Sequence, residues 1–325
     1  MKVAVGYTKI ECDHIVDSFA KGIVESGDEV IEIKTREDVY KIDQCDAMVQ
    51  LAESGRYEIL DYYTGSDMVD DYHYIKVFMG LKQIELKKAR LIIDCGLIED
   101  NRFEMDNNRY FSVGLNGIKG RAKYFNENSP PDRYEKRNVR LKQLRGVTPD
   151  SHVLIIGQSK KGAGLMHVGC KTADDREKYW NTPMEYYDDL PDRIRKFAPN
   201  RKIVFRTHLT GASITPSKCL PNMEVINTRQ KYKPIEEDLK GAWCAVTRTS
   251  NGAIDALFAG VPVMTEDFVC LAHPVAEHSV KNIDKIEYPD TKDLMQWLYD
   301  LSYAEWSLEE MKKGLPWQHF RRNIK

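Results

Sequence analysis

The chain has 325 residues, of which 42% are hydrophobic and 30% charged, and its formal net charge is −2. This length suits two domains of ordinary size, each able to bury its own core. The net charge gives no support for nucleic-acid binding, and no apolar run approaches the ~20 residues that span a bilayer. The first residues already form an apolar strand with no signal-peptide core before them, so we expect a cytoplasmic protein without membrane insertion.

No metal site is predicted. The seven cysteines are scattered and none lies at CxxC spacing, which argues against a disulfide framework and against structural zinc. His273 and Glu277 lie four residues apart, but no third ligand follows at a suitable spacing. The acidic pairs at 70–71, 174–175 and 188–189 lie in polar contexts and are interpreted as solvated faces. We therefore expect neither a metal nor a bound cofactor.

Strand-like and helix-like segments alternate in the first half of the chain. Segment 13–26 places Ile15, Phe19, Ile23 and Val24 on one helical stripe, and Gly27 follows as a C-cap. Alternation of this kind predicts βαβ units and a parallel sheet, so residues 1–125 are assigned to a Rossmann-like domain. The predicted strands are 2–7, 29–35, 46–52 and 89–97.

Residues 101–150 are polar, and 126–150 are predicted to be a basic interdomain linker with a helix near 134–145. A second α/β series then predicts a Rossmann-like domain over 151–290, followed by helices over 291–325 that could cross back to the first domain. Ligands of such sheets bind beyond the carboxyl ends of the strands, and two facing domains would hold a substrate in the cleft between them. The predicted strands are 152–157, 202–208, 223–227, 243–249 and 261–265.

The strongest candidate ligand site is the turn that follows the strand at 243–249. The sequence Thr-Ser-Asn-Gly leads from that strand into a helix, and its serine or asparagine can cap the helix while its glycine lets a ligand approach the backbone. Free amides and the helix dipole suit a phosphate, and an aspartate one turn later could bind ribose hydroxyls. A capped helix without any ligand explains the pattern equally well. The donor-binding residues predicted here are Thr249, Ser250, Asn251, Gly252 and Asp255.

Two more strand ends carry cations. The loop after 152–157 contains two lysines and suits a diphosphate, although it matches neither a Walker motif nor GxGxxG. At the end of the strand 202–208, an arginine and a histidine lie on the same side, where they could contact phosphate or sugar. A solvated basic loop and a pair of surface residues are the alternative interpretations. The predicted donor-binding residues are Gly157, Gln158, Lys160, Lys161, Arg206 and His208, joined by His273 from the segment 270–279.

Taken in order, the segments VLIIGQS, IVFRTH and VTRTSNGAIDALFAGVPV resemble the donor domain of GT-B glycosyltransferases related to capsule-polysaccharide and Kdo-transfer enzymes. The resemblance covers residues 151–275. It implies a GT-B fold of two doubly wound Rossmann-like domains with a cleft between them, and a metal-independent enzyme whose co-substrate is a nucleotide sugar such as a UDP-sugar. The chain departs from the family at Leu209, where the family often has proline, and at Asp255, where it usually has glutamate.

The segments 113–133 and 301–321 are similar to phage-encoded glycosyltransferases, some of which modify hydroxymethylated pyrimidines in DNA. This resemblance implies a modified base in double-stranded DNA as acceptor and, for a phage protein, the host cytoplasm as location. Residues 117–147 hold nine basic and three acidic side chains with interleaved aromatics, a composition that can track phosphates and stack a flipped base. A solvated linker would show the same pattern. The residues predicted to contact DNA are Lys119, Arg121, Lys123, Arg133, Lys136, Arg137 and Arg140.

The main hypothesis is transfer of a hexosyl or pentosyl group from a nucleotide sugar to a hydroxymethylated pyrimidine. The leaving phosphate gains charge in this reaction, and Lys160, Lys161 and Arg206 would stabilise it, with His208 beside them. The alternatives are a transferase of surface-polysaccharide synthesis, a nucleotide-sugar epimerase of the same fold, and a non-catalytic nucleotide-sugar-binding or DNA-binding protein. An inverting enzyme would also need a base on the N-terminal side; the candidates are Asp13, His14, Glu99 and Asp100.

Overall fold

The computed structural model describes residues 1–7, 13–34, 38, 41–42, 44–51, 89–98, 109–137, 139–142, 148, 150–158, 173–208, 214–228 and 233–324. For residues 13, 95 and 173–184 it describes the backbone alone. The chain divides into two compact units. Unit 1 comprises Met1–Arg133 and Tyr299–Lys325, and unit 2 comprises Tyr134–Leu298.

Unit 1 is built on a sheet that has six strands in the described part of the chain. The sheet order is β11-β5-β4-β3-β1-β2. Strands β1 to β4 pair in parallel, whereas β5 is antiparallel to both of its neighbours, β4 and β11. The prediction that residues 101–150 are a polar loop or linker was wrong for β5, because nearly every side chain of YFSVGL is buried. The strands are β1 (Lys2–Gly6), β2 (Glu29–Ile33), β3 (Ala47–Leu51), β4 (Ala89–Cys95), β5 (Tyr110–Leu115) and β11 (Glu305–Ser307).

The C-terminal segment completes the core of unit 1. Helix α1 (Asp13–Glu25) buries Ile15, Phe19 and Ile23 of its predicted stripe in the core, whereas Val24 is 58% exposed, so the prediction was wrong for that residue. Trp317 and Phe320 from the end of the chain join the same core cluster. Gly22 lies so close to the turn at Gly314 that a Cβ at Gly22 would meet the Met311 carbonyl oxygen at 1.9 Å. The last helices of the chain are α6 (Thr291–Tyr303), α7 (Leu308–Lys312) and α8 (Leu315–Arg321).

Unit 2 is built on a parallel sheet with five strands among the described residues. Its order is β10-β9-β6-β7-β8, and every pair is parallel. Since both units carry a mostly parallel sheet with helices, the predicted pair of Rossmann-like α/β domains is confirmed. The strands are β6 (His152–Ile156), β7 (Ile203–Arg206), β8 (Met223–Ile226), β9 (Ala242–Val246) and β10 (Val263–Met264).

Helices cover both faces of the second sheet. Helix α3 (Ala173–Phe197) packs Tyr187, Leu190 and Ile194 on one face. The other face carries α4 (Ile235–Leu239) and α5 (Gly252–Phe258). The sequence predicts a helix over 188–199, and α3 begins well before it, at Ala173. Of the helix predicted near 134–145, the described residues contain only α2 (Asp132–Glu135), since residues 136–137 and 139–142 are not helical.

Candidate functional site

The strand order of unit 2 defines a particular edge of its sheet. Read from β8, the strands come third, second, first, fourth and fifth along the chain, so the connection reverses direction between β6 and β9. In doubly wound sheets, ligands bind beyond the carboxyl ends of the strands at this reversal. The carboxyl ends here are residues 157–158 and 247–252, which we call the switch-point edge.

Hydroxyl and amide groups tie the two sides of the switch-point edge together. The buried Gln158 donates from Nε2 to Thr249 Oγ1 at 2.5 Å, and its Oε1 accepts from the Tyr187 hydroxyl at 3.2 Å. Tyr187 and Thr247 also donate to the Ile156 carbonyl, at 3.1 and 2.9 Å. Burial raises the pKa of Tyr187 to about 12, so its hydroxyl stays protonated as a donor. The predicted residues Gln158 and Thr249 are therefore brought together by a rigid network.

The turn at 249–252 uses its own hydroxyls to satisfy part of its backbone. The Ser250 amide donates to Thr247 Oγ1 at 3.3 Å, and the Gly252 amide donates to Ser250 Oγ at 3.2 Å. Asn251 is the N-cap residue, yet its side chain makes no cap bond, and its buried Oδ1 has no hydrogen-bond partner among the residues that the structure describes. The prediction of side-chain capping is correct for Ser250 alone, and the turn offers a ligand fewer amides than expected.

The reason for glycine at position 252 also differs from the prediction. A Cβ there would lie 3.0 Å from Ile235 Cδ1 and 3.1 Å from Ile156 Cγ2. The missing side chain thus allows α5 to pack against α4 and β6, rather than opening the backbone to a ligand. Gly157 is likewise crowded, since a Cβ would lie 2.9 Å from the Arg206 carbonyl oxygen. Asp255 is half-buried in the first turn of α5.

Arg248 is a functional candidate that the sequence reading missed. It is the second residue after the end of β9 and is 5% exposed. Its Nε lies 3.1 Å from Asp267 Oδ2, and its carbonyl accepts from Thr265 Oγ1 at 2.9 Å. Within the described chain, its terminal Nη atoms donate to no other residue. A buried guanidinium is therefore held by one edge at the switch point. The signal was available, because this arginine lies inside the VTRTSNG segment, directly before the predicted residue Thr249.

Arg206 does not occupy the position predicted for a phosphate clamp. Alternation along β7 directs its side chain onto the sheet face that α4 covers, where it is buried and pairs with Asp238 of α4. Its Nη2 donates to the Lys233 carbonyl, and Lys233 Nζ contacts the other oxygen of Asp238. The guanidinium is thus committed to the interior of unit 2. His208, two residues further on, is half-buried and has contacts of its own.

The segment 270–279 forms a short 3-10 turn, His273–Val275, rather than the helix that would stack His273 on Glu277. Instead the imidazole rings of His273 and His278 stack, with centroids 3.8 Å apart and planes 8° apart. Burial, and then the neighbouring His278, lower the pKa of His273. Glu277 Oε1 accepts from the amides of His278 and Ser279, each at 2.9 Å. Glu277 is therefore a backbone anchor for this loop.

Several predicted residues lie outside the described residues, namely Lys160, Lys161, Glu99 and Asp100. Asp13 is described by its backbone alone, at the start of α1. His14, in the first turn of α1, is exposed. The roles of these residues remain predictions.

The basic segment serves the fold in part. Arg133 binds Glu310 through both Nη atoms, at 2.7 and 3.0 Å, and lies over the Trp306 ring. Arg137 and Lys119 are buried, at 3% and 9% exposure. Arg121 is half-buried, whereas Lys123, Lys136 and Arg140 are exposed. The prediction that Arg133, Arg137 and Lys119 contact DNA is therefore not supported, because Arg133 is bound to Glu310 and the other two side chains are buried.

In the part of the chain that the structure describes, His, Cys, Asp and Glu side chains nowhere gather in threes that could hold a metal ion. None of the described helices combines the length and apolar character that crossing a bilayer requires.

No family model matches the chain, and no curated protein matches it. Among solved structures, the chain is similar to the KpsC beta Kdo 2,4 transferase of Thermosulfurimonas dismutans, with 14% identity, 93% of this chain and 89% of that chain covered, and a TM-score of 0.48. It is also similar to the beta Kdo 2,7 transferase of the same organism, with 12% identity, 97% and 98% coverage, and a TM-score of 0.49. A UDP-N-acetylglucosamine 2-epimerase from Listeria monocytogenes gives 9% identity, 97% and 93% coverage, and a TM-score of 0.24.

Proposed function

We propose that this protein is a glycosyltransferase that uses a nucleotide-sugar donor and binds the donor's phosphates at the switch-point edge of unit 2. The strand reversal between β6 and β9 is the position at which doubly wound sheets take nucleotides. Gln158, Thr247 and Thr249 supply a preorganised polar floor there, because they are already fixed by hydrogen bonds to one another and to Tyr187. Because these side chains are already ordered before a ligand binds, binding costs less conformational entropy.

The observation that carries this proposal is the buried Arg248. Burial of a guanidinium is costly unless it is paired or meets an anion. Asp267 takes one edge of Arg248, and the terminal nitrogens form the fork that binds phosphate oxygens in pairs. In the proposed reaction the glycosyl–oxygen bond breaks and the leaving phosphate gains negative charge, which Arg248 would stabilise from a position fixed in advance.

The remaining chemistry of the proposal rests on predicted residues. Lys160 and Lys161 follow β6 and would add charge at the same edge. With these cations in that role, the proposed reaction needs no metal. An acceptor hydroxyl would be deprotonated by one of Asp13, His14, Glu99 or Asp100 in an inverting enzyme.

We propose a glycan hydroxyl as the acceptor, as in surface-polysaccharide synthesis. A DNA acceptor calls for a continuous basic surface to meet the phosphate backbone. Arg133, Arg137 and Lys119 are instead bound or buried within the fold. The hydroxymethylated-pyrimidine acceptor remains the second candidate, because Lys123, Lys136 and Arg140 are exposed and keep some positive charge available.

The test is incubation with a panel of nucleotide sugars and two acceptor classes, oligosaccharides and DNA containing hydroxymethylpyrimidines, with products read by mass spectrometry. We expect donor turnover and transfer to an oligosaccharide. Sugar isomerisation without transfer would assign the protein to the epimerases, and transfer to DNA would select the second candidate. No turnover and no binding of any nucleotide would end the proposal.

Matched variants sharpen the test. Arg248→Gln should lower donor turnover by about 10–100-fold, since hydrogen bonds to charged groups are worth about 1.5–3 kcal/mol. Arg140→Gln, an exposed arginine of the same unit, should leave turnover unchanged. Lys136→Glu combined with Arg140→Glu should also leave transfer to oligosaccharides unchanged, whereas it should abolish transfer to DNA if DNA is the acceptor.

A further inference from the structure

The loop that follows β10 lies at the same edge of the sheet as the switch-point turn. Strand β10 pairs with β9 in parallel, with Val263 opposite Ala245 and Met264 opposite Val246. The residues that follow each strand therefore emerge side by side. The Thr265 hydroxyl confirms the proximity, because it donates to the Arg248 carbonyl at 2.9 Å.

This loop is fixed by a dense set of bonds around Asp267. One carboxylate oxygen of Asp267 accepts from the Val269 amide at 3.0 Å, and the other lies 3.1 Å from Arg248 Nε. The Asp267 carbonyl accepts from the Cys270 amide at 2.9 Å, which closes a tight turn. Val269 and Cys270 are each 1% exposed and anchor the turn in the core.

Phe268 stands at the apex of that turn and is 54% exposed. Its neighbours on both sides are fixed, so the turn cannot swing the ring into the core without breaking the bonds of Asp267. Leaving a large aromatic ring in water forgoes the free energy of burying it, about 25 cal/mol for each Å² of apolar surface. Phe268 follows Asp267 directly, and Asp267 pairs with the buried Arg248, so the turn brings an exposed apolar side chain and an anion-binding group within one residue of a shared carboxylate.

We propose that Phe268 is the stacking platform for the nucleobase of the donor, with Arg248 holding the phosphates of the same nucleotide. This inference rests on the proposed function and adds the residue that recognises the base. Every base has a π face, so an aromatic platform binds bases with little selectivity. Asp267 links the two groups physically: it lies next to Phe268 in the chain and pairs with Arg248 in space.

The experiment measures equilibrium binding of UDP, CMP, GDP, ADP and inorganic pyrophosphate by calorimetry to the full chain. Phe268→Leu removes the ring and keeps an apolar side chain. This substitution should lower the affinity for the tightest-binding nucleotide by about tenfold, which corresponds to the loss of one base–aromatic stack, and should leave the affinity for pyrophosphate unchanged. Phe268→Trp should retain nucleotide affinity. Phe125→Leu, at a phenylalanine of unit 1 that is 41% exposed, is the matched control and should change neither affinity.

Two outcomes would overturn the platform while leaving the proposed function intact. Nucleotide affinity of Phe268→Leu equal to that of the unsubstituted protein would show that the base does not stack there. An equal loss of nucleotide and pyrophosphate affinity would show that Phe268 only supports the loop. Failure of the unsubstituted protein to bind any nucleotide or pyrophosphate would instead contradict the proposed function itself.

Discussion

Removal of the Asp238 carboxylate tests the structural role that the fold gives to Arg206. The side chains of Arg206 and Asp238 are 5% and 1% exposed, and both oxygens of Asp238 are engaged, one by Arg206 and one by Lys233. Asp238→Ala leaves a buried guanidinium without its counter-charge. The loss of one partner from a buried pair costs about 3–5 kcal/mol, and we expect the free energy of unfolding to fall by that amount.

The matched control is Asp192→Ala, which removes an equally short ion pair at the surface. Its partner Lys218 is 60% exposed and Asp192 is 46% exposed, so the cost should be about 0–1 kcal/mol. Urea unfolding followed by circular dichroism measures both variants, and amide hydrogen exchange in β6 and β7 assigns the loss to unit 2. The reasoning is refuted if Asp238→Ala and Asp192→Ala are equally stable.

A paired substitution separates structure from function at the same position. Arg206→Met with Asp238→Leu replaces the pair by apolar groups of similar size, which is often neutral or stabilising. Lys233, which is 34% exposed, can then turn to water. We expect this double variant to recover stability and to bind nucleotide as the unsubstituted protein does. A folded double variant that has lost nucleotide binding would restore Arg206 as a direct phosphate ligand.

Three further substitutions test other parts of the fold. Tyr187→Phe removes the donor to Ile156 and Gln158 and should cost about 1 kcal/mol in urea unfolding, with weaker nucleotide binding; unchanged values would show that the network is not needed. Gly314→Ala should destabilise unit 1 by about 1–3 kcal/mol more than Gly27→Ala, because both have positive φ but only the Gly314 Cβ would meet a backbone oxygen, at 2.5 Å. Burial lowers the pKa of His319 from its ordinary value of 6.5. As the pH falls below 6.5, the unfolded state therefore binds a proton at this histidine before the folded state does, and the free energy of unfolding decreases. His319→Gln should therefore flatten the dependence of the unfolding free energy on pH below 6.5, and an unchanged slope would contradict this reasoning.

The alternation of strands and helices was predictable because it is a local property of the sequence. Periods of two and of 3.6 residues record which side chains face the core, and three of the four residues in the predicted stripe of α1 are buried, the exception being Val24. The antiparallel strand β11 was not predictable in this way. It has three residues, and it exists because it pairs with β5, nearly 200 positions earlier in the chain.

The candidate site shows the same division. The switch-point edge was located from the strand ends and the turn after β9. The role of each side chain depended on its partners across the fold. The sequence could not show that Arg206 faces Asp238, or that a side chain at position 252 would crowd Ile235. Nor could it show that, among the described residues, Arg248 is held only through its Nε edge by Asp267. The basic charge of a segment likewise does not show which side chains a partner could reach, because Arg137 belongs to the basic segment and yet is buried.

The most direct test is a crystal structure of the protein in complex with UDP, or with whichever nucleotide binds most tightly. The account predicts the phosphates within hydrogen-bonding distance, about 3 Å, of the Arg248 Nη atoms at the ends of β6 and β9. A well-defined nucleotide bound elsewhere, with Arg248 contacting only Asp267, would contradict it.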